Sequence, residues 1–286
     1  MDRLATFAGT FYPAGEAACR REIEAYLRAA EPDVPERPVV GGLVPHAGWV
    51  YSGLAAAHVY RALQEGPAPE TVILFGAVHS WGVPGPSLAA TGTWQTPLGA
   101  LTVDEELAAR LLQDGAGVVV DRPAAHAQEH AIEVQLPFVK YLFPSVRILP
   151  IATPPLASAA RAGEAAARAA QALGRRVVVL GSTDLTHYGP RYGIAPVGVG
   201  EAGLAWTHEN DARLLELAAE MAADGVMAEA QAHHNACGPG AVAAAIQAAA
   251  GLGATEGRLL HYTTSHEVLP QGPPTDLVGY GAIVYY

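Results

Sequence analysis

The sequence predicts an α/β fold in one domain, and three observations carry that expectation. Short runs rich in Val, Ile and Leu alternate with stretches of helical periodicity along the chain. The chain has 286 residues and is half hydrophobic, enough to bury a substantial core. No repeat of solenoid length and no long polar linker interrupts it, which favours one domain over residues 1–286 rather than two.

The elements follow in order. In "EAACRREIEAYLRAA" (16–30), Ala18, Ile23, Tyr26, Leu27 and Ala30 recur at helical spacing, and Cys19 falls at a packing position. "PVVGGLV" (38–44) predicts a strand, followed by a helix around "SGLAAAHVYRALQ" (52–64). "TVILFG" (71–76) predicts a second strand, and after the loop "TWQTPLGALTVD" (93–104) comes the helix "EELAARLLQDG" (105–115). "GVVV" (117–120) leads into "EHAIEVQLPFVKYLF" (129–143), whose Ile132, Leu136, Val139 and Phe143 line one side of a helix. "VRILPIA" (146–152) and "RVVVLG" (176–181) predict buried strands flanking an Ala-rich helix, 156–173. "GPGAVAAAIQAAAG" (238–251) predicts a helix, and "LVGYGAIVYY" (277–286) a closing strand.

Charge and composition exclude several partners. Lys and Arg number 17 against 28 Asp and Glu, so the formal charge is −11 and a phosphate backbone meets repulsion. The densest basic spots, Arg20-Arg21 and Arg175-Arg176, read as solvated pairs, so no nucleic-acid partner is expected. No run approaches the roughly 20 apolar residues of a membrane span. No signal peptide precedes "MDRLATFAGT", so the two cysteines, Cys19 and Cys237, are expected as thiols in a cytoplasmic protein.

The polar residues fall at strand ends. "GGLVPHAGWVYSG" puts His46 just beyond a strand, "ILFGAVHSWG" does the same for His79, and "VVVLGSTDLTHYGP" for Asp184 and His187. In open α/β sheets ligands bind outside the carboxyl ends of the strands, where loops converge. A single histidine there is ordinarily a loop hydrogen-bonder, but matching positions with flanking Gly and Pro favour a site. Asp184 and His187 can form a local turn or a base with its orienting partner. Glu129 and His130 open the 129–143 segment, where Glu has a capping role as well as a functional one. His58 reads as a packing residue, while His126 and His233 stay unassigned.

Cys237, in "HHNACGPGAV" (233–242), stands at the start of a helix whose positive end favours thiolate over thiol. A thiolate serves nucleophilic attack, with one base in reach, or metal ligation, with neutral imidazoles converging on it. Two histidines and one cysteine make a three-ligand site with open positions. Trp49, Tyr51, Trp81 and Tyr188 lie near these residues in sequence and would suit a flat aromatic ligand as pocket walls.

"AGTFYPAG", "PHAGWVYSG", "GAVHS", "TPLGALTVD", "EHAIEVQLPF", "STDLTHYG" and "NACGPGAV" occur in the order, and at about the separations, of the Memo-like family, and the match runs from end to end. In bacteria that family includes the AmmeMemoRadiSam system protein B. It resembles the class III extradiol dioxygenases, which implies a mixed, largely parallel sheet flanked by helices. The resemblance implies His46, His79 and Cys237 as metal ligands, with Asp184 and His187 beside the metal. The ring-cleaving relatives complete two histidines with a Glu, whereas this chain has Cys237, a softer donor. "GAVHS" also carries Ala77 and Val78 where the family more usually has Gly-Pro-Ser/Asn, and Thr183 and Thr186 stand where Ser is common.

The expected function is an Fe(II)-dependent dioxygenase acting with O2 on a small aromatic or heteroaromatic substrate, with Cu(I) or Zn as alternative metals. His187 would serve as general acid or base, Asp184 would orient it or hydrogen-bond around the metal ligands, and His130 would line the same pocket as a further catalytic residue, with Glu129 a weaker candidate. Competing expectations are a zinc hydrolase, a non-catalytic metal-binding adaptor and, last, a metal-free Cys-His hydrolase. The resemblance also implies an AMMECR-type protein or a radical SAM enzyme as partner.

Overall fold

The computed structural model describes residues 2–286. Its elements run α1 (Glu16–Ala29), β1 (Gly41–Val44), α2 (Trp49–Gln64), β2 (Thr71–Gly76), β3 (Ser87–Leu88), β4 (Thr93–Trp94), β5 (Leu101–Val103), α3 (Glu105–Asp114) and β6 (Val120–Asp121). They continue with α4 (Leu136–Leu142), β7 (Arg147–Ala152), α5 (Ser158–Ala172), β8 (Val177–Ser182), β9 (His187–Tyr188), α6 (Glu201–Ala219), α7 (Ala223–His233), α8 (Pro239–Gly251), β10 (Gly257–Thr264), α9 (Ser265–Val268) and β11 (Leu277–Tyr285).

One mixed sheet organises them, in the order β10-β11-β1-β8-β2-β7-β3-β6. Its centre is parallel, β1 on β8, β8 on β2 and β2 on β7; β11 and β10 finish one side antiparallel, and on the other β3 runs antiparallel to β7 and parallel to the edge strand β6. The central strands are buried along their whole length, because helices cover both faces, and so they read as continuous apolar runs. One core packs α3, α5, α6, α7 and α8 against one face, and the other packs α1, α2 and α4 against the opposite face. Helix α8 carries apolar residues all round, as a helix enclosed between sheet and neighbours must. These features match the expected fold, a largely parallel mixed sheet flanked by helices like that of the extradiol dioxygenases.

The 129–143 segment departs from the expected single helix. It forms a turn, a 3₁₀ turn at Glu133–Gln135 and only then α4, with Pro137 in its first turn. The cause is tertiary: the Glu133 carboxylate is buried and pairs with Arg3, Tyr12 and the Phe7 N–H, while Glu129 bonds to His79. Arg175 is not the solvated residue expected. Only 12% of its side chain is exposed, and it pairs with the buried Asp104, which also caps α3 at Leu107 N. No helix is long and apolar enough to cross a membrane among the described residues.

Candidate metal centre

Strands β1, β8 and β2 lie side by side and parallel, so their carboxyl ends open on one crevice. His46 follows β1, His79 follows β2, and Ser182 ends β8. The Ser182 hydroxyl donates to the Ala131 carbonyl at 2.8 Å, so it accepts from His46 Nδ1 at 2.9 Å. This fixes the proton on Nδ1 and turns His46 Nε2 inward. Glu129 does the same for His79: one carboxylate oxygen meets Nδ1 at 2.9 Å and the other accepts the His79 backbone N–H at 2.7 Å. His130 stacks on His79, with ring centroids 4.6 Å apart, and one nitrogen each from His46, His79 and His130 lie within 4.8 Å of one another. These histidines can hold a metal ion.

Cys237, in the loop before α8, lies beside the His46 ring. Its Sγ lies 3.1 Å from His46 Nε2, and the Asp184 N–H donates to it at 3.3 Å. Gly238 makes this approach feasible, since a Cβ there would sit 2.8 Å from both the Ala77 Cβ and the Ser182 carbonyl oxygen. Burial alone would push the Cys237 thiol up, but the charge and hydrogen bond of His46 and a hydrogen bond from His79 bring it down to about 6. For His79, burial pulls the other way from its bonds to Cys237 and Glu129, which raise it to about 10. Burial and the neighbouring His46 and His79 lower His130 to about 3, so it is a neutral imidazole at pH 7. A thiolate paired with an imidazolium is a nucleophile; with the proton displaced, the same atoms are metal donors.

A cavity of about 470 Å³ opens beside this cluster, lined in part by His130, Asp184, His187, Tyr51 and Tyr192. Asp184 and His187 therefore face it together, though their hydrogen bonds go elsewhere. Asp184 Oδ1 accepts the backbone N–H groups of His46 at 2.7 Å and Ala47 at 3.2 Å, so the carboxylate positions the His46 turn. His187 Nδ1 lies 3.0 Å from the Leu185 carbonyl, which leaves Nε2 as its accepting nitrogen. Burial raises the Asp184 carboxyl, against the opposing pull of His187 and the His46 and Ala47 N–H groups.

Of the expected aromatic walls, only Tyr51 lines the cavity. Trp49 and Tyr188 are buried in the core, where Trp49 packs on Phe138 and Tyr188 on Trp206, and Trp81 is fully exposed. Phe11, Tyr192 and Tyr280 take their place. The N-terminal segment was the missed contributor: Phe11 packs on His130 at 4.7 Å between centroids, and a buried Arg3 holds the carbonyls of His126 and Glu129. The "FYPAG" stretch was the signal available for it. Ser182 was also missed, because a serine at a strand end has no signature of its own.

The chain matches the family described as Memo-like protein over residues 3–284. It is 36% identical over 296 residues to a MEMO1 family protein of Methanopyrus kandleri, covering 100% of this chain and 99% of the relative. A MEMO1 family protein of Thermococcus onnurineus is 38% identical over 295 residues, again with 100% and 99% coverage, and one of Methanosarcina barkeri is 37% identical over 287 residues, with 99% of each chain covered. The chain belongs to the Memo-like family.

Proposed function

From that membership and from the imidazoles that surround one thiol, we infer that this chain is a metal-dependent oxygenase with His46, His79 and Cys237 as ligands. The observation that carries the reading is Cys237 Sγ 3.1 Å from His46 Nε2, beside the nitrogens of His46, His79 and His130 that lie within 4.8 Å of one another. The outer hydrogen bonds support it, since Ser182 and Glu129 each occupy an Nδ1–H and leave Nε2 for a metal. We assign Fe(II) as the resident metal, and the soft thiolate makes Cu(I) and Zn the alternatives. Bound iron would supply redox chemistry with dioxygen and open coordination positions for a small aromatic or heteroaromatic substrate.

The remaining work falls to the chain's own side chains. Phe11, Tyr51 and Tyr192 provide flat apolar walls in the cavity. His187 Nε2 accepts or returns the proton of a substrate hydroxyl, and the charge of Asp184 steadies the imidazolium. His130 lines the substrate side as a neutral imidazole. A cytoplasmic location belongs to the same proposal, supported by two free cysteines.

The test is metal content by mass spectrometry on protein purified without oxygen, with Cys237→Ser, His79→Ala and His187→Ala beside the wild type. Stoichiometric iron, lost in the first two and kept in the third, is the expected result. Zinc or copper lost from the same variants keeps the site and turns the search to hydrolysis or metal handling. The contact between Cys237 Sγ and His46 Nε2 also favours a second reading, a metal-free thiolate nucleophile. Absence of metal under every condition, with Cys237 alkylated equally fast with and without added metal, would select it.

A further inference from the structure

Two loops from distant parts of the chain must keep one relative placement at this site: Thr183–His187 after β8, and His233–Cys237 before α8. On one side β11 holds the first loop, because Gly279 accepts the Leu185 N–H at 2.9 Å and donates to the Thr186 carbonyl at 3.1 Å. The Thr186 N–H, the Thr186 hydroxyl and the His233 carbonyl are all satisfied from the middle of α6. Asp211 Oδ1 accepts the Thr186 N–H at 2.9 Å. Asn210 Nδ2 donates to Thr186 Oγ1 at 2.8 Å and to the His233 carbonyl at 3.2 Å. Asn235 Nδ2 returns a bond to the Asn210 carbonyl at 2.8 Å, and Tyr262 donates to Asp211 Oδ2 at 2.8 Å.

Local stability does not account for this arrangement. Asn and Asp are poor residues for a helix interior, and both are buried here on a face that otherwise presents Leu214, Leu215 and Ala218. The neighbouring strand adapts to them: a Cβ at Gly279 would sit 1.8 Å from Asp211 Oδ2, so only glycine admits the carboxylate. Local choices that oppose the element they sit in mark positions held for another purpose.

We propose that Asn210 and Asp211 are positioning residues of the centre. Asn210 ties the Thr186 loop to the His233–Cys237 loop, and Asp211 clamps the Thr186 backbone, so that Cys237, Asp184 and His187 face one point. The proposal rests on the metal reading above. It differs from a purely structural role in that it predicts a change in the thiolate–metal bond.

The test uses Co²⁺ as probe, whose thiolate bond gives a near-ultraviolet band, on the full chain carrying Asn210→Ala, Thr186→Val or Arg213→Ala. Asn210→Ala and Thr186→Val are each expected to weaken Co²⁺ affinity about 10–100-fold and to shift the band. Arg213→Ala, which removes the contact to Asn210 Oδ1 and the ion pair to Glu229 but keeps the Asn210 bonds to Thr186 and His233, is expected to change Co²⁺ affinity less than about threefold and to leave the band in place. Wild-type affinity and spectrum in both Asn210→Ala and Thr186→Val would overturn the proposal; should Asn210→Ala fail to fold, Thr186→Val decides. If the wild type binds no Co²⁺, the metal reading has failed, and amide exchange on the metal-free chain decides instead. Joint acceleration at Thr186 and Cys237 in either variant supports the tie, and unchanged exchange overturns it.

Discussion

Each imidazole of the centre is useful because of what its far nitrogen touches. His79 is 37% exposed, yet its Nδ1 is held by a carboxylate that is 1% exposed, and burial of Glu129 is outweighed by His79 and backbone N–H groups that hold it at about 2. With His79 raised to about 10, the metal-free centre carries a proton on that ring at pH 7, and a metal must displace it. Metal affinity should therefore rise with pH, roughly tenfold per unit while one proton is released, between about pH 7 and about pH 9. Competitive Co²⁺ titration across that range checks the sign, and a flat profile would show that His79 is neutral before the metal arrives. Ser182→Ala should cost about 10–100-fold in affinity without loss of fold, because it removes the acceptor that sets the His46 tautomer and one hydrogen bond to the Ala131 carbonyl. Equal affinity in wild type and variant would remove Ser182 from the centre.

At the scale of elements, what was legible followed from how much of each signal is local. The strands β1, β2, β7, β8 and β11 announce themselves as apolar runs, and His46, His79 and Cys237 lie at their ends or at a helix start. Helices α6 and α7 and strand β10 were not assigned at all. α6 places Asn210 and Asp211 in its middle, where tertiary bonds to Thr186 replace the apolar periodicity that marks a helix. The same cause broke the expected helix at 129–143, since the partners of Glu129 and Glu133 lie far away in sequence. Gly238 shows how a short loop serves an element: Gly238→Ala should cost about 1–3 kcal/mol in urea unfolding and lower Co²⁺ affinity, by pressing on Ala77 and Ser182. Asp104→Ala should cost about 2–4 kcal/mol in the same assay, because it removes the α3 cap, leaves the buried Thr71 hydroxyl without its acceptor and takes one of the carboxylates from Arg175. A loss below about 1 kcal/mol would mean that solvent replaces the carboxylate.

Across the whole molecule, stability between about pH 4 and about pH 6 should follow from the buried His126, His130, Asp184 and Asp211, which titrate away from their ordinary values. Burial, with Arg3 adding to it, holds His126 at about 4, and burial with His46 and His79 holds His130 at about 3. The ordinary value of both is 6.5, so between about pH 4 and about pH 6 the unfolded chain binds more protons at each, and stability falls with falling pH. Asp211 acts in the opposite direction. Burial raises it to about 6 despite its bonds to Thr186 and Tyr262, so the folded chain binds its proton first and gains stability as pH falls from about 6 towards its unfolded value. The two histidines cost stability as pH falls through this window, and the raised carboxyls of Asp211 and Asp184 oppose them. Asp211→Asn removes one opposing group while keeping an acceptor for the Thr186 N–H, so the slope should steepen by up to about 1.4 kcal/mol per unit. Urea unfolding of the metal-free wild type and variant at about pH 5 and about pH 6 measures both slopes. Parallel slopes would mean that Asp211 is ionised throughout the window and that Tyr262 and the Thr186 N–H together carry its charge.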